Sequence, residues 1–389
     1  MEISEALLAQ QQVVRLQALL EASRQLHSTI ELDEVLHIAL QIVVRELELT
    51  GAFFSTWPQI YGDIPFALQE AVASGAPVLN VEPSCGPVMR FPLCDKPGAV
   101  FTELVVVIPV GRTLDLDELD FLESLCVQAA VAIENASFHK RALQWQRVES
   151  DLAAARQVQL SLVPQQMPMI PGYHLAARSI TCYEVGGDYL DIMAMPSGEI
   201  IIVVGDVAGK GLASALVGTS FRSAFRAMVH AGLSLYEIAT RMNLLHYGEG
   251  MEAQRRYVTV MMLRLDPAAH TLETVNAGHN PAFLIAGDGT VRKISASGTP
   301  IGMLPFSSYA SEEFSFRPGT RLLVYTDGMT EVFCGEEEFG EARLLDAFLS
   351  GSEPSPEQSL ESLWKTLEAF SDGREQSDDM TALVLFRDR

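Results

Sequence analysis

Residues 184–211 read EVGGDYLDIMAMPSGEIIIVVGDVAGKG, two apolar runs parted by the cluster Pro196, Ser197, Gly198 and Glu199. Short apolar runs bounded by turn residues predict a β-hairpin with strands Tyr189–Met195 and Ile200–Val204. Centring the turn on Ser197 and Gly198 makes facing residue numbers sum to about 395, within one register step. Asp188 then faces Val207 and lies diagonal to Asp206. Two carboxylates at the open end of a buried hairpin repel each other and are costly unless a counter-charge offsets them. A divalent cation is the simplest such charge, and an all-oxygen ligand set suits a hard ion, Mg²⁺ or Mn²⁺. Gly186, Gly187, Gly205 and Gly209 crowd the same end, as expected where backbone approaches an ion or a phosphate. One Gly-Asp pair by itself reads as a solvated turn, so the chemistry rests on whether further carboxylates converge.

A chain of 389 residues exceeds one ordinary domain, and two are expected. Hydrophobic residues make up 48% and charged residues 20%, enough for packed cores and against global disorder. The formal charge of −23 disfavours nucleic acid and anionic membrane as partners, because phosphate backbones are bound by Lys/Arg surfaces. Five cysteines, Cys85, Cys94, Cys126, Cys182 and Cys334, are scattered without a Cys-x-x-Cys pair, which suits a reducing compartment. The opening MEISEALLAQ lacks the basic and apolar blocks of a signal peptide. Apolar runs such as Leu104–Val110 are too short to span a bilayer. The expectation is a cytoplasmic protein.

Residues 1–48 read as two helices, the second carrying Val35, Leu36, Ala39, Leu40, Ile42 and Val43 at helical spacing. A strand Gly51–Trp57, a helix Ala67–Ala73, a short strand Pro77–Leu79 and a strand Glu103–Ile108 follow. The stretch Pro83–Lys96 reads as an irregular loop, with Cys94 packed. Asp115–Ala136 closes the unit as a helix, giving helices flanking an antiparallel sheet. The closing pattern DELDFLESLCVQAAVAIENA resembles the GAF family of sensor and dimerisation domains, which implies a cup for a small ligand that the sequence does not name.

From Phe138 to Leu162 there is no Gly or Pro, and one continuous helix is predicted. Phe138, Trp145, Val148, Leu152, Ala155 and Leu162 fall on alternating three- and four-residue steps, interrupted by Arg141 and Gln159. That heptad seam predicts a parallel coiled coil between two copies, hence a homodimer. Pro164 ends the helix. The expected organisation is 1–137 GAF-like sensor and dimerisation domain, 138–164 linker helix and 165–389 catalytic domain.

After Gly172 strands are predicted at His174–Ser179, the opening hairpin, Arg256–Asp266, Thr271–Ala277, Ala282–Ala286, Arg321–Thr326 and Met380–Phe386, with helices at Ala213–His230, Leu235–Tyr247 and Pro356–Phe370. Strands and helices come in blocks, which points to antiparallel sheets covered by helices, an α+β arrangement within the broad α/β class. Asp327 ends LLVYT, and Asp378 with Asp379 precedes MTALVLF. If those strands pair antiparallel, the two acidic ends meet. Four acidic sites at the mouths of apolar strands are more than turn chemistry asks for.

GGDYLD, GDVAGKGLASAL, NAGHNPAF, TPIGML, YTDGMTEVF with EFGEARL, and SDDMTALVL resemble, in order, the motifs of bacterial PPM (PP2C-like) serine phosphatases of the RsbU/SpoIIE type. ARQVQLSLVPQQMP is similar to that family's entry helix. The resemblance implies an αββα sandwich holding two Mn²⁺ or Mg²⁺ ions. By motif, Asp206 bridges both ions beside the Val207 carbonyl, Asp188 ligates one, and Asp327 and Asp378 ligate the other. Asp379 and Asp191 are expected to support the ligands, although the adjacent pair Asp378–Asp379 leaves open which of the two binds. It further implies metal-activated water attacking a phosphoserine on a STAS-type antagonist, in a cascade that frees a sigma factor. The alternative is a non-catalytic phosphoprotein-binding pseudophosphatase. A ligand-sensing transcription regulator would need a basic helix-turn-helix stretch, and none is evident. Lys210 reads either as a phosphate contact or as a solvated helix start. His279 reads either as a proton donor or as a structural hydrogen-bonding group.

Overall fold

The computed structural model describes residues 16–73, 86–95, 98–351, 355–374 and 376–389. The first part of the amino-terminal helix and the expected strand Pro77–Leu79 lie outside them. Two compact units divide between Glu149 and Ser150. Among the described residues no helix is long and apolar enough to cross a membrane.

The first unit comprises α1 (16–26), α2 (Leu32–Glu46), β1 (Gly51–Phe54), β2 (Ile60–Gly62), α3 (Phe66–Ala73), β3 (Val88–Cys94), β4 (Val100–Val107) and the start of α4 (Leu116–Leu162). Its sheet has the order β2-β1-β4-β3, and every pairing is antiparallel. The side-chain alternation of β4 sends Leu104 and Val106 toward the helices α1, α2 and α4, while Val105 and Val107 meet Leu68 of α3 on the other face. The stretch expected to be an irregular loop instead contains β3. β3 contains Pro92 and lies at the sheet edge, where a missing N–H costs no ladder bond. Cys94 at its end is exposed rather than packed.

Helix α4 runs unbroken for 47 residues and stops before Pro164. Along the expected seam Phe138 is 69% and Trp145 73% exposed, whereas Leu152, Ala155, Gln159 and Leu162 are partly covered within the second unit. Gln159 is occupied there. Its side chain donates to the Gly186 carbonyl at 2.7 Å and accepts from the Gly186 N–H at 3.1 Å.

The second unit contains β5 (Tyr173–Ile180), β6 (Tyr189–Ala194), β7 (Ile200–Val207), α5 (Leu212–His230), α6 (Leu235–Gly248), α7 (Met251–Gln254), β8 (Val258–Asp266), β9 (Thr271–Ala277), β10 (Ala282–Ile285), β11 (Val291–Ile294), β12 (Glu312–Ser315), β13 (Arg321–Tyr325), β14 (Phe333–Cys334), β15 (Glu337–Glu338), α8 (Gly340–Ser350), α9 (Pro356–Ser371) and β16 (Met380–Arg387). Two five-stranded antiparallel sheets, β11-β10-β13-β16-β5 and β12-β9-β8-β7-β6, face each other. Ile202, Val204, Met261, Leu263, Leu322, Val324, Leu383 and Leu385 fill the space between them. The outer face of one sheet packs on α5 and α6 through Phe221, Phe225, Ile238 and Met242, and that of the other on α8 and α9 through Leu344, Phe348, Leu363 and Trp364. The result is an αββα sandwich, as the family resemblance implies, and its antiparallel sheets are covered by helices as the strand and helix blocks predict.

Candidate metal centre

The opening hairpin forms with Tyr189 opposite Gly205. That is one register step from the expected centring, so extending the ladder puts Asp188 opposite Asp206 rather than Val207. In the facing sheet β13 and β16 pair antiparallel with Tyr325 opposite Ala382, which places Asp327, just past β13, beside Asp378 and Asp379, just before β16. Two hydroxyls of that second sheet reach across the sandwich to the first. Thr326 Oγ1 donates to Asp188 Oδ2 at 2.9 Å, and Thr381 Oγ1 donates to the same oxygen.

The electrostatics record the convergence. Burial, then the charge of Asp206, push Asp188 well above the usual carboxylate range, against the two threonine hydroxyls that favour its ionised form. Asp206 is pushed up to about 7 by burial and by the charges of Asp327, Asp378, Asp379 and Glu331. Burial and Asp378 raise Asp327, while the Gly328 N–H and Lys210 work the other way. Glu331 is raised by burial and by the charges of Asp327 and Asp378. Carboxylates whose protonation is favoured this strongly form a site that a hard cation would neutralise in place of protons. Among the described residues no three His, Cys, Asp or Glu side chains are closed into a ready ligand cage, and mutual repulsion of the carboxylates opposes such closure.

The neighbouring groups have distinct tasks. Asp379, expected to support the ligands, accepts from Cys182 N at 2.7 Å through Oδ1 and from Gly187 N at 2.6 Å through Oδ2, and so clasps the loop that delivers Asp188. A Cβ on Gly328 would collide with the main chain of Asp379, which is why only glycine fits after Asp327. Asp191 is fully buried and takes a two-pronged hydrogen bond from Arg226 at 2.6 and 2.9 Å, so it fixes the hairpin to α5. Lys210 pairs with Asp378 at 2.9 Å and donates to the Ser377 carbonyl at 2.6 Å, an option not weighed for it in the sequence. His279 is buried, bonds Thr259 through Nδ1 at 2.9 Å, and is held down to about 4 by burial, with the Tyr325 main chain acting against that shift. A neutral, enclosed imidazole of this kind serves structure.

Sequence reasoning did not single out Glu331, Thr326 or Thr381. All three lie inside the quoted motifs YTDGMTEVF and SDDMTALVL, so adjacency to the acids was the available signal.

Residues 196–388 match the stage II sporulation protein E (SpoIIE) family. This stretch is a SpoIIE domain. It contains Asp206, Asp327, Asp378 and Asp379, and Asp188 precedes it by eight positions. Phosphoserine phosphatase RsbP of Bacillus subtilis is 31% identical over 150 residues, covering 38% of this chain and 37% of RsbP. Phosphoserine phosphatase RsbU of the same organism is 24% identical over 216 residues, covering 55% of this chain and 62% of RsbU. The chain thus spans less than two thirds of the length of either relative. The SiaA-PP2C domain of Pseudomonas aeruginosa superposes with a TM-score of 0.56 at 22% identity, covering 64% of this chain and 100% of that domain. The SpoIIE domain therefore has the PP2C-like fold.

Proposed function

We propose that this chain is a Mn²⁺- or Mg²⁺-dependent protein serine/threonine phosphatase that hydrolyses phosphoserine on a regulatory protein. The observation that carries the reading is the shared acidic field of Asp188, Asp206, Asp327 and Asp378, drawn from both sheets of a PP2C-like sandwich. Those four side chains with the Val207 carbonyl would hold two ions. Bound there, the ions would supply the positive charge that makes hydroxide available near neutral pH and offsets charge on the phosphoryl oxygens. The chain's own residues prepare the site. Thr326 and Thr381 fix one oxygen of Asp188 and leave the other to the ligand shell. Asp379 holds the Cys182–Gly187 loop, and the Lys210 ion pair orients Asp378.

RsbP and RsbU are phosphoserine phosphatases, which supports a phosphoserine protein as the substrate class. A STAS-type antagonist within a sigma-factor cascade is the finer reading. We place a homodimer at the exposed part of the linker seam, and control by the GAF-like unit through the unbroken α4. Retention of all four carboxylates speaks against the binding-only alternative.

The test is Mn²⁺-dependent release of phosphate from a phosphoserine-bearing STAS-type protein by the full chain and by Asp206→Asn and Asp327→Asn. Each variant keeps side-chain size and removes a charge, and each is expected to lose at least about a hundredfold in rate. Undiminished activity in both would overturn the reading.

A further inference from the structure

The loop between Asp206 and α5 carries a second feature besides the carboxylates. A Cβ on Gly209 would lie 2.8 Å from Arg256 Nη1 and 3.3 Å from Ser214 Oγ, so a guanidinium and a hydroxyl meet over this one glycine. Ser214 is fully buried, and its Oγ has no hydrogen-bond partner among the described residues. It sits in the first turn of α5, a 19-residue helix whose first residue follows Gly211 and which no side chain caps. The first-turn N–H groups of such a helix carry partial positive charge and favour an anion.

Arg256 is rigidly rooted. Its carbonyl is bonded to His246 Nε2 at 3.0 Å, and the next carbonyl, that of Tyr257, accepts from Ala208 N at 2.9 Å. Among the described residues no hydrogen bond or ion pair engages its guanidinium, whereas Lys210 on the same loop is spent on Asp378 and Ser377. In a chain of net charge −23, an unpaired cation beside an uncapped helix start and an unpartnered hydroxyl is a composite anion site.

We propose that Arg256, the Ser214 hydroxyl and the first turn of α5 receive the phosphoryl oxygens of the phosphoserine substrate, with Arg256 supplying the positive charge. This rests on the phosphatase reading and assigns its substrate-positioning residue. No bond is made or broken at Arg256; it binds the dianion and orients it.

The experiment titrates inorganic phosphate into the Mg²⁺-loaded full chain by calorimetry, for wild type, Arg256→Gln and Arg256→Lys, and measures KM and kcat on a phosphoserine peptide with Mn²⁺. Loss of one charge-assisted contact should weaken phosphate binding and raise KM by about tenfold in Arg256→Gln, with Arg256→Lys in between. Mn²⁺ affinity and melting temperature should stay at wild-type values. Phosphate affinity and KM unchanged in Arg256→Gln, or no phosphate binding by wild type, would overturn the assignment. Absence of Mn²⁺-dependent turnover by wild type would overturn the phosphatase reading, and the phosphate titration would still decide Arg256 separately.

Discussion

Asp379 and Gly187, 192 residues apart in sequence, are joined by a 2.6 Å hydrogen bond from the Gly187 N–H to Asp379 Oδ2. The bond links the start of β16 in one sheet to the loop that presents Asp188 in the other. Its neighbour Asp378 is more open and shares the acidic field of Asp206 and Asp327. Under the metal-site proposal, Asp379 holds the loop and Asp378 is left for the ion.

That division is measurable. Asp379→Asn turns one acceptor toward a donor it cannot satisfy, and should cost about 1–3 kcal/mol of stability while retaining Mn²⁺ uptake. Asp378→Asn should leave stability close to wild type and abolish tight Mn²⁺ binding. Urea unfolding of the metal-free proteins and calorimetric Mn²⁺ titration check both halves, and the opposite pairing of phenotypes would reverse the assignment.

The cost of the acidic field predicts a variant that is more stable and less functional. Asp206 is raised to about 7 by burial and like charges, so at pH 8 it is ionised against the preference of its surroundings. Replacing it with asparagine should stabilise the metal-free protein at pH 8 by about 1–3 kcal/mol. For a unit of this size that is a rise of a few degrees in melting temperature. Added Mn²⁺ should then raise the melting temperature of wild type but not that of the variant. A metal-free Asp206→Asn protein less stable than wild type at pH 8 would contradict the strain argument.

Apart from the two-residue pair β14–β15, the strands missed from sequence share a place in the fold. β2, β3, β11 and β12 each close an edge of a sheet, where one side lacks a neighbour and polar residues or a proline are tolerated. VRKI and EEFS therefore show little of the apolar run that marks the central strands β7, β8, β13 and β16. The acidic site was legible for the complementary reason, because Asp188, Asp206, Asp327 and Asp378 punctuate buried strands whose hydrophobicity is unmistakable. Asp379 was expected in a supporting role, but its partner Gly187, like the Gly209 that Arg256 approaches, is fixed by tertiary register rather than by local spacing. The linker seam was half legible. Its helix and its spacing are as expected, but Gln159 is claimed by Gly186 and so the final turns serve the chain's own unit.

The remaining seam is short enough for one residue to decide. Phe138, Trp145 and Val148 are 69%, 73% and 49% exposed, an apolar stripe that a second copy would cover. Trp145→Glu places a charge at the centre of that stripe and should turn a concentration-dependent dimer into a monomer, as read by analytical ultracentrifugation. A wild-type monomer at about 100 µM, or a variant that still dimerises, would remove the coiled-coil assignment.

His279 gives the fold a pH dependence whose sign follows from its burial. Enclosed with its Nδ1 bonded to Thr259, it is held down to about 4, whereas an unfolded histidine titrates near 6.5. Above pH 6.5 neither state is protonated at this residue, and it adds no pH slope. As pH falls from 6.5 toward 4 the unfolded chain takes up a proton that the folded chain refuses, so stability is lost by up to about 3 kcal/mol and the slope then ends. His279→Gln lacks the titration, although it gives up part of the hydrogen bond to Thr259 at every pH. The stability gap between wild type and variant should therefore be widest above pH 7 and narrow steadily toward pH 4 in denaturant unfolding. A gap that is constant over that range would mean the folded imidazole accepts its proton near the ordinary value, and the enclosed, structural role of His279 would fall with it.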